Sequence, residues 1–551
     1  MANKLTLMKF LIYPFGLILT LISLNLLGQV TSMSPAEHEK NEGVLLVWDY
    51  NSQRDSVVAN IAGAVQNTAK AWIIYYPGPA PMDTTEIRQY LLDHGVGYNN
   101  VHFIPGWTET LWIRDYGPFT AYGDFGEGIE RYMMDAGYSD YNRPMDDSIP
   151  SQIAGHWNMQ SIDIPLEFEG GNILLDGLKN GFTSTRVLDQ NPAYSEAELA
   201  DMLSDYFSTE DFIFLEELEN SGGGIWGHVD MYIKIIDYET IMVSKYPEYV
   251  PDYELVESIA DYLGSLTNYF GEPYEIVRIN VPPNADGNYP VSQDDEMRTY
   301  TNSLTMNDVV VVPAYGLPEF DTVARNIYRE VMPGYDIQMV DAQNLTPLYG
   351  AIHCITKEVP QEELLRIIHK KLTGPQPYAE DKMVFSSFRH QYELDSVSLY
   401  YRKNNEPTFT RTDIHQVCPE FYGVIPNCSP GDTIDYYIEA KTDSAQTRQP
   451  LSAPDGYYTF WFNTTTGSPG INAADAVTLA PNPNGGTFFL KAGKLQNMHM
   501  EVFAADGQLI HQQSLNGNQV VHLGNGIQNG VYLLRLTGND GRRITKKLLI
   551  R

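Results

Sequence analysis

Cysteine is scarce in this chain of 551 residues, which holds only Cys354, Cys418 and Cys428. An odd number cannot all pair. Cys418 and Cys428 are close enough to close a short loop in an oxidising space, which leaves Cys354 over as a thiol with chemistry to explain. Basic residues are the second shortage, 36 against 70 acidic ones, for a net charge of −34. Such a surface repels nucleic-acid backbones and anionic lipid and attracts cationic substrates, while also serving the solubility of an exported protein. The third shortage is of long apolar runs. Only Phe10 to Leu27 approaches the eighteen or so residues that a span requires. Lys4 and Lys9 precede it, Pro14, Gly16, Ser23 and Asn25 interrupt it, and Leu26-Leu27-Gly28-Gln29 ends it, so residues 1–28 read as a cleaved signal peptide. Disorder is excluded by 43% apolar and 12% aromatic residues.

The remaining length predicts two to four domains. Strand patterns at Gly43–Trp48 and Ala71–Tyr76 alternate with helical ones at Ser56–Gln66 and Thr84–His94. Ser195 with Glu198 reads as a capping box, Asp321 as the start of a helix over Thr322–Val331, and Pro360 as the start of one over Gln361–Leu372. Strands fall at Met231–Ile236 and Val309–Val312. The alternation predicts one α/β domain over residues 36–372. Beyond Gly374-Pro375 the helical period stops. Short aromatic and β-branched runs (Ser396–Tyr401, Thr433–Ala440, Tyr457–Phe462) predict an immunoglobulin-like β-sandwich over 378–463. A Thr/Gly/Ser-rich linker precedes a third small β domain over 475–551 with a basic end.

Four segments carry chemistry. Trp107 to Pro118 contains Arg114-Asp115, read as a strand end leading into a turn, where a carboxylate beside tryptophans suits a planar cation. Asp115 could equally pair with Arg114 or satisfy the turn. Glu169-Gly170-Gly171-Asn172 allows close backbone approach, with Glu169 supporting a site rather than reacting in it. In Gly227-His228-Val229-Asp230, the His-x-Asp spacing on a strand would put imidazole and carboxylate on one face. Proton transfer beside a bound cation ranks above metal ligation there, since no third ligand cluster has suitable spacing. Asn302 could orient substrate or close a turn. Cys354, in Gly350-Ala351-Ile352-His353-Cys354-Ile355-Thr356, is either a buried small hydrophobe or a nucleophile.

Arg-Asp-x-Gly-Pro, Glu-Gly-Gly-Asn, Gly-His-x-Asp and Ile-His-Cys-Ile-Thr, in this order, resemble the guanidine-modifying superfamily over residues 36–372. Within it the chain is similar to the agmatine deiminases and the bacterial peptidylarginine deiminases. The resemblance implies a pentein fold, a five-bladed α/β propeller of ββαβ units. It also implies roles: Cys354 as nucleophile, Asp115 and Asp230 holding the guanidinium, His228 as acid and then base, Asn302 assisting, and no metal or cofactor. Trp112, Arg143 and Trp226 are the candidate substrate-binding residues. The C-terminal segment, with Pro481-Asn482-Pro483, Gly530-Val531-Tyr532 and Lys546-Lys547-Leu548-Leu549-Ile550, resembles the sorting domain of the type IX secretion system. That implies export across the outer membrane by the type IX machinery, removal of the domain, and attachment to surface lipopolysaccharide.

The export architecture favours peptide or protein arginine side chains as substrate. Arg143 would clasp a C-terminal carboxylate, but Met145 stands where the family pattern has a second Arg, and a thioether does not replace a bidentate contact. Agmatine or free arginine is the alternative substrate, an amidinotransferase lacks any marked acceptor site, and an inactive surface adhesin is the alternative of another class.

Overall fold

The computed structural model describes residues 32–78, 84–126, 128–138, 142–220, 227–417, 420–463, 477–491, 498–504, 508–524, 527–538 and 543–551. The signal segment and Trp226 therefore lie outside the described residues. None of the described helices is long and apolar enough to cross a membrane.

Among the described residues between Ser32 and Pro360 the chain forms five sheets. Each contains an antiparallel pairing and a parallel one, and the parallel one is bridged by a helix, because a parallel neighbour is reached only by a crossover. Ile233–Asp237 and Thr240–Lys245 pair antiparallel, for example, and helix Tyr253–Ser265 returns the chain to Glu275–Asn280. Leu304–Met306, Val309–Ala314, helix Pro318–Val331 and Asp336–Asp341 repeat the pattern. In a further sheet the late strand Lys357–Pro360 pairs with the early strand Asn41–Val47, joining the two ends of this region. Wholly apolar strands such as Val309–Val312 are buried on both faces, as sheets covered by helices require.

The capping box is present: Ser195 accepts from the Glu198 amide while Glu198 accepts from the Ser195 amide, starting helix Glu196–Phe207. Asp321 differs from its reading. The helix begins three residues earlier, at Pro318, and the Asp321 carboxylate accepts from the Tyr315 and Leu317 amides at 3.1 and 3.0 Å, satisfying its start from within the first turn. The helix predicted over Gln361–Leu372 is absent. Leu365–Ile368 is instead a strand paired with Lys382–His390. Apolar residues at 364, 365, 367 and 368 fit either period over so short a span, and burial of all four strand residues against the next sheet decides the matter.

Beyond residue 360 two groups of sheets follow. One pair shares a core of Leu365, Val384, Leu399, Tyr436, Ile438 and Phe460. Asn404 and Asn405, both at positive φ, and Gly431 turn the chain between its strands. Cys428 is a buried thiol that donates to the Ile425 carbonyl at 3.3 Å, and its expected partner Cys418 lies outside the described residues. The last group has its own core, including Phe488, Leu490, Met500, Leu534 and Leu548.

Candidate active site

The candidate residues sit on short segments, each leading into a strand of a different one of these sheets. Asp115 lies on helical turn Ile113–Tyr116, just before strand Phe119–Asp124. Gly171 lies on the 3-10 turn Gly170–Asn172 before Leu174–Leu175, and Asp230 on Val229–Met231 before Ile233–Asp237. Asn302 directly precedes Leu304–Met306, and Cys354 lies on His353–Ile355 before Lys357–Pro360. Two local readings are thereby corrected. Asp115 is on a helical turn rather than a strand end, and His228-x-Asp230 is not on a strand, so period-two alternation is not what brings those side chains together. Buried hydrogen bonds fix the turns instead: Asn172 Oδ1 accepts from the Val229 amide (3.3 Å) and the Ser184 amide (3.0 Å).

The convergence is tightest around Gly171. A Cβ on that residue would fall 2.7 Å from His228 Nδ1, 2.9 Å from Asp115 Oδ1 and 3.2 Å from Asp230 Oδ2. Gly171 is thus needed for close approach and not for a left-handed φ. Asp115 Oδ1 is 3.5 Å from His228 Nδ1. On the other side, Asn302 Oδ1 accepts from the Cys354 thiol (3.4 Å) and from the His353 and Cys354 amides (3.0 and 3.3 Å). Trp112 packs its ring against Gly350, where any Cβ would meet it at 2.4 Å, and joins Cys354 in one apolar cluster. Cys354, His228, Asp115, Asp230 and Asn302, up to 239 residues apart in sequence, are brought together and buried. Arg143 starts the turn Pro144–Asp147, which packs on Ile113–Tyr116, and donates to the Tyr138 hydroxyl at 3.4 Å.

Burial dominates the electrostatics. It pushes Asp115 up to about 7 against the His228 cation, with Glu169 and Asp230 adding to it. It opposes charge on His228 too, but Asp115 and Glu169, then Asp230, override it and raise that imidazole to about 9. The Cys354 thiol is held well above its ordinary range, first by burial and then by the charges of Asp230 and Asp115. Asp230 Oδ1 and Asp115 Oδ1 are buried and accept no hydrogen bond among the described residues. Two carboxylates with oxygens left over, beside a thiol whose charged form they oppose, form a site that is relieved by a cation.

Sequence reading missed a second buried layer. Arg114 does not pair with Asp115. Its Nη1 is 2.7 Å from Glu358, and its Nε donates to the His353 carbonyl at 3.2 Å. Glu169 takes the supporting place expected of it, accepting from Arg186 Nη2 at 3.1 Å and lying 3.8 Å from His228 Nε2. Lys357 lies 3.3 Å over the Phe119 ring and is pushed down to about 7 by burial, with the Arg114 charge adding to it. His353, Glu37 and Glu358 offer ligand atoms within 4.8 Å of one another, the composition of a metal group. Their carboxylates are already answered by Lys234 and Arg114, each 2.7 Å away, and a dication there would face those buried cations. The only sequence signal for this layer was adjacency, since Arg114 and His353 each flank a candidate residue.

A family model described as Porphyromonas-type peptidyl-arginine deiminase matches residues 33–360, well over half of the chain. The chain belongs to that family. A second model, the secretion system C-terminal sorting domain, matches residues 478–551, which marks the chain for export to the cell surface or beyond. A Legionella pneumophila (strain Paris) protein named "Putative agmatine deiminase" is 24% identical over 343 residues, covering 59% of this chain and 95% of its own length. A second, from strain Philadelphia 1 and bearing the same name, is 28% identical over 226 residues, covering 40% of this chain and 63% of its own. Among solved structures, the agmatine deiminase of Enterococcus faecalis superposes with a TM-score of 0.52 at 20% identity, covering 60% of this chain and 96% of that one. A Porphyromonas gingivalis structure named "Putative Arginine Deiminase" gives 0.52 at 19%, covering 60% and 99%. At such identities the structural likeness speaks for the fold, that of the pentein deiminases with mixed α/β content.

Proposed function

We propose that this family member is an exported deiminase that hydrolyses the guanidinium of peptidyl-arginine to a citrulline side chain and ammonia. The observation that carries the reading is the pair of buried carboxylates, Asp115 and Asp230, each with an oxygen that accepts no hydrogen bond among the described residues, both gathered with the His228 imidazole around Gly171 and both opposing the charged form of Cys354. A guanidinium between them gains charge-assisted contacts and localises its charge, so its carbon becomes the electrophile. Neutralising the two acids also removes the repulsion that disfavours the Cys354 thiolate. The thiol gives its proton to solvent, and the resulting thiolate sulfur adds to that carbon. His228, raised to about 9 and so charged at neutral pH, gives a proton to the departing nitrogen, which leaves as ammonia. Neutral His228 next takes a proton from water, whose oxygen adds to the thiouronium carbon. The C–S bond breaks, the thiol regains its proton, and the ureido group is released. Trp112, Arg143 and Trp226 are assigned to substrate binding, Trp112 by its place beside Cys354.

The five sheets, with the late strand Lys357–Pro360 paired to the early strand Asn41–Val47, support arrangement as a five-bladed propeller with the site at its centre. We likewise propose the division into 36–372, 378–463 as an immunoglobulin-like sandwich and 475–551, after a signal peptide over 1–28. The second reading, agmatine as substrate, is favoured by the names of the relatives and by Met145, exposed where the family pattern has a second Arg. Turnover of an arginine-terminated peptide, an internal-arginine peptide, agmatine and free arginine, followed by mass gain and ureido colour, tests both. Peptide turnover that vanishes in Cys354→Ala is expected. A strong preference for agmatine would overturn the substrate, and no product from any of the four would favour the inactive adhesin.

A further inference from the structure

We propose that His353 is a positioning residue for Asp230, anchored from behind by Glu37; the inference rests on the deiminase reading above. The His353 ring is buried between two carboxylates, with Nδ1 2.7 Å from Asp230 Oδ2 and Nε2 2.5 Å from Glu37 Oε2. Glu37 is itself immobilised. Its Oε1 accepts from Lys234 Nζ at 2.7 Å and from the Thr305 amide at 2.6 Å, and Arg114 Nη2 lies 3.8 Å from Oε2. Asp230 is therefore gripped by one oxygen only. Its other oxygen, Oδ1, is buried and accepts no hydrogen bond among the described residues. A carboxylate held that way presents a single acceptor in a fixed direction, which is what recognition of a planar cation demands and what a freely rotating carboxylate lacks.

The same residue also ties this grip to the nucleophile. The His353 amide and the Cys354 thiol share Asn302 Oδ1 as acceptor, and the peptide between the two residues makes them neighbours. Loss of the ring would free Asp230 to rotate and leave Glu37 facing a gap, while Cys354 kept its own contacts to Asn302. The defect should therefore appear in cation binding and not in the reactivity of the sulfur.

Three variants separate positioning from mere bulk. Asn places an amide nitrogen near Nδ1, Gln places one near Nε2, and Ala keeps neither. His353→Gln and His353→Ala should raise KM for the guanidinium substrate by about 10–100-fold, the range typical of lost outer-layer partners. His353→Asn should recover most of that rise. Labelling of Cys354 supplies a readout that needs no turnover: the rate with a cationic haloacetamidine, divided by the rate with a neutral haloacetamide, should fall in Gln and Ala and recover in Asn. Glu37→Gln, which weakens the anchor without touching Asp230, should lower the same ratio more mildly and serves if the ring variants fail to fold. Unchanged KM and an unchanged labelling ratio in folded His353→Ala or Glu37→Gln would overturn the positioning role. An inactive wild type would instead sink the deiminase reading, and the labelling ratio would still decide whether His353 orients Asp230.

Discussion

At the scale of single residues, burial sets the working range. On the proposed function Asp115, pushed up to about 7, must lose its proton before it can hold a guanidinium, so binding should weaken as pH falls through that value. His228 delivers a proton only while charged, and it loses that charge as pH rises through about 9. The expected kcat/KM profile of the wild type is a bell with limbs near these two values and a plateau between them. Asp115→Asn should abolish the acid limb and raise KM. A profile still climbing past pH ~9 would mean that ionisation of the Cys354 thiol, and not of Asp115, sets the rising limb, and that loss of the His228 proton does not limit the rate there. The free-thiol pKa is therefore a poor guide here, because the substrate's own charge changes it.

At the scale of elements, the site depends on the Gly170–Asn172 turn approaching Ile113–Tyr116 and Val229–Met231 more closely than side chains permit. Gly170 and Gly171 make that possible: a Cβ on the first would meet the Arg114 carbonyl at 2.1 Å, and one on the second would meet three functional groups. Gly171→Ala should leave the sheets paired, since no strand is interrupted, yet reduce kcat/KM on the order of 10²-fold, as expected when reacting groups are displaced by about 1 Å. Circular dichroism and turnover measured together check this, and an alanine variant with wild-type turnover would refute it. The elements also show where a one-dimensional pattern stops being decisive. Ser195 with Glu198 forms the capping box that its spacing announces, because both partners lie within one helical turn. Leu365–Ile368 looked helical and is a strand, because its partner, Lys382–His390, lies in the following sheet.

At the scale of the whole molecule, the chain carries a net charge of −34 and the proposed substrate is a cation. If that field steers substrate, kcat/KM for a basic arginine peptide should fall roughly 10-fold or more as ionic strength rises from ~0.01 M to ~1 M and the Debye length shrinks from about 30 Å to about 3 Å. Turnover at saturation should stay constant, and an acidic arginine peptide should respond weakly or in the opposite sense. Salt-independent kcat/KM for both peptides would assign the acidic surface to solubility alone. The sorting domain keeps a separate core behind its own linker, so chemistry and address are carried by different parts of the chain.

The sequence alone carried the candidate groups and their order: a cysteine in Ile-His-Cys-Ile-Thr, a His-x-Asp, an Arg-Asp, paired glycines and an export tail, each legible because residue type and short spacing carry it. It did not determine which acid serves which partner. Arg114 turns away from its neighbour Asp115 to Glu358, and His353 turns back to bridge Asp230 and Glu37, residues more than a hundred positions away. Those choices belong to the tertiary structure. Buried charges must find partners in three dimensions, and in an interior assembled from five sheets the nearest opposite charge is seldom the one next along the chain.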